Sequence, residues 1–141
     1  MTSLHPAESA RPVIVNPPHL HDPSQNGYST AVVVPASGRL AFISGQGGQD
    51  RTGGLSPDFA IQVAQAYENL AAVLDALGAR RDQVVKLTVF VVDHDMSKLG
   101  TLTRNVIQMF GNSLPAQTLV PVPKLAIDPM LFEVEAVVLL D

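Results

Sequence analysis

The order of apolar patterns along this chain predicts an α+β domain in which a single mixed β-sheet carries two helices on one face. Three observations lead there. Runs of alternating or β-branched residues and runs at helical spacing follow one another as β-β-α-β-α-β-β, an order that one sheet with two covering helices satisfies. Two segments place apolar residues at three- and four-residue intervals, Val63, Tyr67, Leu70, Leu74 and Leu77 in one, Leu99, Leu102, Val106 and Met109 in the other. The later strands are apolar on both sides, which two helices on one face cannot cover.

Residues 1–27 hold Pro6, Pro12, Pro17, Pro18 and Pro23 with little periodicity and are expected to form an irregular arm, with a short edge strand at Val13-Ile14-Val15. The domain proper is assigned to residues 28–141. Strands are expected at about 28–35 and 38–45, joined by a hairpin turn at Ala36-Ser37-Gly38. The Gly-rich stretch Gly45 to Gly54 leads into a helix at about 57–77, with Ser56 as its cap, Pro57 in its first position and Gly78 just past its end. A strand at 83–92 follows, then a turn through Asp93-His94-Asp95 and a helix at about 97–110 closed by Gly111. Strands at about 116–121 and 130–140 complete the chain.

In the strand at 83–92, Val85, Leu87, Val89 and Val91 form one expected face; Val84, Thr88, Phe90 and Val92 form the other with Lys86. In the last strand, Phe132, Val134, Ala136, Val138 and Leu140 alternate with Leu131, Glu133, Glu135, Val137 and Leu139. A second apolar face of this size is seldom left in water, so an obligate oligomer is expected. Glu133 and Glu135 lie two apart and therefore share that partner-facing side.

Composition excludes several function classes. A chain of 141 residues is one domain and buries roughly 68–70% of its unfolded surface. It is 46% hydrophobic but 5% aromatic without Trp, so aliphatic side chains fill its core. The net charge of −4 is spread out and no Lys/Arg run tracks phosphates, which argues against nucleic acid as a partner. Without cysteine there is no disulfide, thiolate metal site or Cys nucleophile. The opening Met1-Thr2-Ser3-Leu4-His5-Pro6 lacks the regions of a signal peptide, and the apolar stretches near 84–92 and 131–140 are about half the ~20 residues of a membrane helix. A cytoplasmic protein without membrane contact is expected.

The Gly-rich stretch has neither the third glycine of a dinucleotide fingerprint nor a Gly-Lys-Ser/Thr. His19-Leu20-His21-Asp22 and Asp93-His94-Asp95 sit in Pro-rich or turn contexts, where solvated polar roles are the better reading than a metal site. No metal and no cofactor is expected.

Five short segments lie in a recognisable order: Asn26-Gly27-Tyr28-Ser29, Ile43-Ser44-Gly45-Gln46, Val85-Lys86-Leu87-Thr88-Val89-Phe90, Leu114-Pro115-Ala116-Gln117-Thr118 and Phe132-Glu133-Val134-Glu135-Ala136. Together they resemble the YjgF/RidA family, also labelled endoribonuclease L-PSP, over roughly residues 24–140. The resemblance implies a YjgF-like (chorismate-mutase-like) fold and a homotrimer with small-molecule ligands in clefts between subunits. It also implies enamine/imine deaminase activity, a C–N hydrolysis that needs no cofactor. Carried over residue by residue, it implies that Glu133 orients the attacking water while Tyr28, Ser44 and Gly45 line the cleft. Thr103 falls roughly where some members carry Asn. Deaminating members place an arginine after the Pro-Ala pair to grip the substrate carboxylate; this chain has Gln117, which lacks the charge-assisted fork. Altered specificity follows, or else a non-catalytic trimer that binds a metabolite or a protein. Ribonuclease activity is disfavoured by the acidic balance and the lack of a basic-aromatic surface. Lys124 is the basic residue nearest Gln117 in the downstream sequence; Glu135 is expected to serve an interface ion pair, and Glu133 either to do chemistry or to form such a pair as well.

Overall fold

The computed structural model describes residues 11–141. Its elements in chain order are β1 (Val13–Val15), β2 (Ala31–Val33), β3 (Arg39–Gly47), α1 (Phe59–Leu77), β4 (Val84–Val92), α2 (Leu99–Phe110), β5 (Ala116–Val122) and β6 (Phe132–Leu140). Four strands form a mixed sheet in the order β3-β6-β4-β5. β6 runs antiparallel to β3 and β4, while β4 and β5 are parallel and joined by α2 as a crossover.

Both helices cover one face. Val63, Leu70 and Leu74 of α1 and Val106 of α2 meet Leu87, Val89 and Val91 of β4 and Phe132, Val134 and Val138 of β6 in one buried cluster. α1 begins two residues later than expected. Asp58, not Ser56, caps it by accepting from the Ile61 N–H at 3.1 Å, because a carboxylate is the stronger acceptor at a helix N-terminus. The Ser56 hydroxyl instead accepts from the Asp58 N–H at 3.1 Å. Gly78 ends the helix at φ 68°, as its place in the sequence implies. The buried stripe also differs at its ends: Leu77 is 38% exposed, while Gln62 is fully buried. The Gln62 amide donates to the carbonyls of Ser56 and Pro129 at 2.7 and 2.9 Å and accepts from the Leu131 N–H at 2.9 Å, so the group carries no unmet polarity inward.

Three expectations of strand geometry are corrected. β2 and β3 do not form a hairpin. β2 pairs antiparallel with β1 in a separate two-stranded ribbon, so the sheet is not single. Val32 of that ribbon packs with Val85, Val137 and Leu139 on the face away from the helices, and apolar burial there replaces in-plane pairing with β3. A bulge also interrupts the β4–β6 register between Val84 and Lys86. The extra residue turns Val84 into the helix-side core and Val85 onto the opposite face, the reverse of strict alternation. The second face is therefore partly covered by the chain's own ribbon. Towards β3 it stays open, with Leu40 51% and Phe42 75% exposed. Among the described residues no helix is long and apolar enough to cross a membrane.

Candidate functional site

The site residues fall into two groups on this one chain. The first lies along the free edge of β5. Ser29 holds the preceding loop there, its N–H donating to Pro115 O at 3.0 Å and its hydroxyl to Leu114 O at 2.5 Å. Gly27, at φ 85°, makes the reversal that brings Tyr28 beside β5. The Gln117 amide then donates to the Gly27 carbonyl at 3.3 Å. Tyr28 is half-buried, and its hydroxyl shares a hydrogen bond of 2.9 Å with His21 Nε2, the two rings meeting edge-on at 6.4 Å. Thr103 on α2 reaches the same loop, donating to Asn26 O at 3.4 Å. Tyr28, Thr103 and Gln117 border a cavity of about 460 Å³ with an apolar wall of Val89, Leu99, Leu102 and Leu119. That is a size typical of small-molecule sites.

The second group lies where β6 meets β3. A second bulge, between Ile43 and Gln46, throws Ser44 and Gly45 out of the regular ladder. The Glu133 side chain lies across Gly45 so closely that a Cβ on Gly45 would stand 1.6 Å from Glu133 Oε1. Only glycine leaves that carboxylate its place. Glu133 is half-buried and has no hydrogen bond or ion pair among the described residues. Glu135 is exposed and equally without an ion pair among the described residues.

The two groups do not meet within one chain. Gln117 stands opposite Leu87, a residue buried beneath the helices, and so shares their face. Glu133 stands opposite Phe90 and lies on the other face, two strands away. Lys124 belongs to neither group: it lies 3.9 Å from the carboxylate of Asp128 in a solvent-exposed pair. Lys86 donates to the Thr118 hydroxyl at 2.8 Å, on the β5 surface opposite the helices.

Among the described residues no three His, Asp or Glu gather as a metal site. The acidic residues of the two His-Asp stretches have local tasks. Asp22 is held below its ordinary value by the Ser24 N–H and then the Ser24 hydroxyl, and Asp95 by the Ser97 hydroxyl and then its N–H. His21 is the contributor that sequence reasoning missed. It was legible only as a possible metal ligand, because its partner Tyr28 depends on the arm turning back along β5.

A mixed sheet with two helices on one face, a Tyr-bearing loop on the β5 edge and a Gly-seated glutamate on the last strand define the class. The model of the family described as Endoribonuclease L-PSP matches residues 20–140. The chain belongs to this family, the YjgF/RidA proteins. It is 35% identical over 112 residues to a RutC family protein of Pyrococcus horikoshii, covering 78% of this chain and 84% of that one. It is 31% identical over 102 residues to the 2-iminobutanoate/2-iminopropanoate deaminase of Salmonella typhimurium, covering 71% and 79%. Among solved structures, a Rid family protein of unknown function from Yersinia pestis superposes with a TM-score of 0.88 at 30% identity, covering 92% and 99%.

Proposed function

We propose that the protein is a cofactor-free hydrolase of reactive imines or enamines, with a specificity set by Gln117, working in clefts between the subunits of a homotrimer. The observation that carries this reading is Glu133, a half-buried carboxylate seated on Gly45 with no cation or donor among the described residues. A half-buried carboxylate without a partner costs free energy, and a role in chemistry is one reason to keep it. Deaminases among the relatives at 31% identity support the reaction class.

The separation of the two groups supports the intersubunit cleft. Glu133 and the Ser44-Gly45 bulge of one copy would face Tyr28 and Gln117 of the next, across the open apolar surface of Leu40 and Phe42. In the reaction, Glu133 accepts a proton from water as its oxygen adds to the carbon of the C=N bond, and the nitrogen takes up a proton. The resulting carbinolamine collapses with loss of ammonia and leaves a carbonyl compound. Imine hydrolysis is intrinsically easy, so an acid–base contribution of about 10²–10⁴ suffices.

The test is Glu133→Gln, measured for imine turnover and for melting. The expected result is loss of turnover with the oligomer and melting temperature retained. A lowered melting temperature would instead make Glu133 half of an interface ion pair whose partner has been stranded. Gln117 favours a second reading, a trimer that binds a metabolite or protein without turning it over. Absence of turnover across neutral and anionic imines, with Glu133→Gln unchanged in every assay, would establish that alternative.

A further inference from the structure

We infer that the β5-edge cavity selects uncharged, N–H-bearing ligands with an apolar body, such as the imine of a carboxamide, and rejects free carboxylates. The inference rests on the reading of this cavity as the substrate site, and it concerns what polarity the cavity presents.

Gln117 and Thr103 each have one hydrogen-bond donating end committed to the loop. The Gly27 carbonyl is acceptor-only, so the Gln117 group that meets it at 3.3 Å must be the NH₂. That fixes the amide orientation and leaves Oε1, which receives no donor among the described residues, as an end available to a ligand. The Thr103 hydroxyl spends its single proton on Asn26 O at 3.4 Å and keeps only lone pairs. Thr103 thus offers only acceptors to a ligand, while Gln117 offers Oε1 together with its second N–H. The Asn26 carboxamide is neutral, and no lining residue carries a positive charge.

Lys86 of β4 donates to Thr118 on the opposite surface of β5; it lines a smaller adjoining hollow of about 240 Å³ that shares Tyr28 and Gln117, but not this cavity. A carboxylate entering here would lose its hydration and meet at most neutral donors beside the Thr103 and Gln117 oxygens, with no lining cation in return. An amide N–H or a neutral imine N–H meets the same oxygens as partners. The apolar wall of Val89, Leu99, Leu102 and Leu119, in a volume of about 460 Å³, accepts a branched aliphatic group.

The experiment compares isovaleramide with isovalerate, stable and nearly isosteric, by NMR titration of the assembled protein. The amide is expected to bind with a Kd at least tenfold lower. Gln117→Arg, which installs a fork for carboxylates, should reverse the order. Gln117→Leu, which keeps bulk and removes the acceptor, should erase the amide's advantage and decides the matter if the arginine variant does not fold. Equal or tighter binding of isovalerate, binding of neither probe, or an amide preference that survives Gln117→Leu would overturn the inference. An amide preference without any imine turnover would refute the proposed hydrolase and leave this inference standing.

Discussion

Phe42→Asp is the substitution whose outcome follows most directly from the open face of the sheet. Phe42 is 75% exposed on the edge strand β3, opposite Val137 and one alternation from Leu40, itself 51% exposed. Full burial of a Phe side chain is worth about 1.5–3 kcal/mol, so covering the exposed three quarters contributes roughly 1–2 kcal/mol per chain. Over three chains this is roughly 3–6 kcal/mol, or about two to four orders of magnitude in the assembly constant. An aspartate removes that contribution and adds a carboxylate to be desolvated. Within the protomer the side chain touches little, so the fold should survive. Sedimentation velocity at micromolar concentration should show the wild-type protein at about three times the 15.0 kDa chain mass and the variant at the mass of one chain, with helix content by circular dichroism unchanged. A wild-type monomer, or a variant that assembles as tightly as wild type, would refute the placement of this face between subunits.

Three further outcomes follow from single side chains. Gly45→Ala puts a methyl where Glu133 Oε1 now lies, 1.6 Å away, so turnover should fall to the level of Glu133→Gln while the melting temperature moves little; full activity would detach Glu133 from the chemistry. Gln62→Leu strands the Leu131 N–H and two carbonyls and should cost about 3 kcal/mol, roughly 6–12 °C in melting temperature by calorimetry. Tyr67→Phe should melt at or above the wild-type temperature, because the Tyr67 hydroxyl is buried without a partner among the described residues and its removal relieves a desolvation cost of order 1 kcal/mol; a clear loss would reveal a bound water.

Much of this architecture was legible in the sequence because it rests on local patterns. α1 and α2 announce themselves through helical spacing, and Gly78 and Gly111 end them where the backbone turns to positive φ. The family assignment, by contrast, rested on the order of five short segments and agrees with the family match over residues 20–140. What misled was geometry decided by non-local packing. Ala36-Ser37-Gly38 has the composition of a hairpin turn, yet β2 goes to β1 because Val32 finds Val85 and Leu139 across the sheet. Strict alternation failed at Val84 and Val85 because a bulge leaves no mark in residue types. At the site, Gln117 and Glu133 could be singled out by their places in the segments, but their lying on opposite faces follows only from the registers. The direction of the Gln117 amide, and the hydrogen bond of His21 to Tyr28, depend on how the arm folds back.

The central claim is that catalysis needs Glu133 of one subunit and the Tyr28–Gln117 edge of another. Mixing Glu133→Gln with Tyr28→Ala, each expected to be inactive alone, tests it without altering any intact site. When the two assemble at random in equal amounts, about a quarter of all clefts join an unaltered Glu133 to an unaltered Tyr28, so turnover should return to about a quarter of the wild-type rate per chain. Mixed trimers, verified by mass, that stay as inactive as their parents would contradict the account.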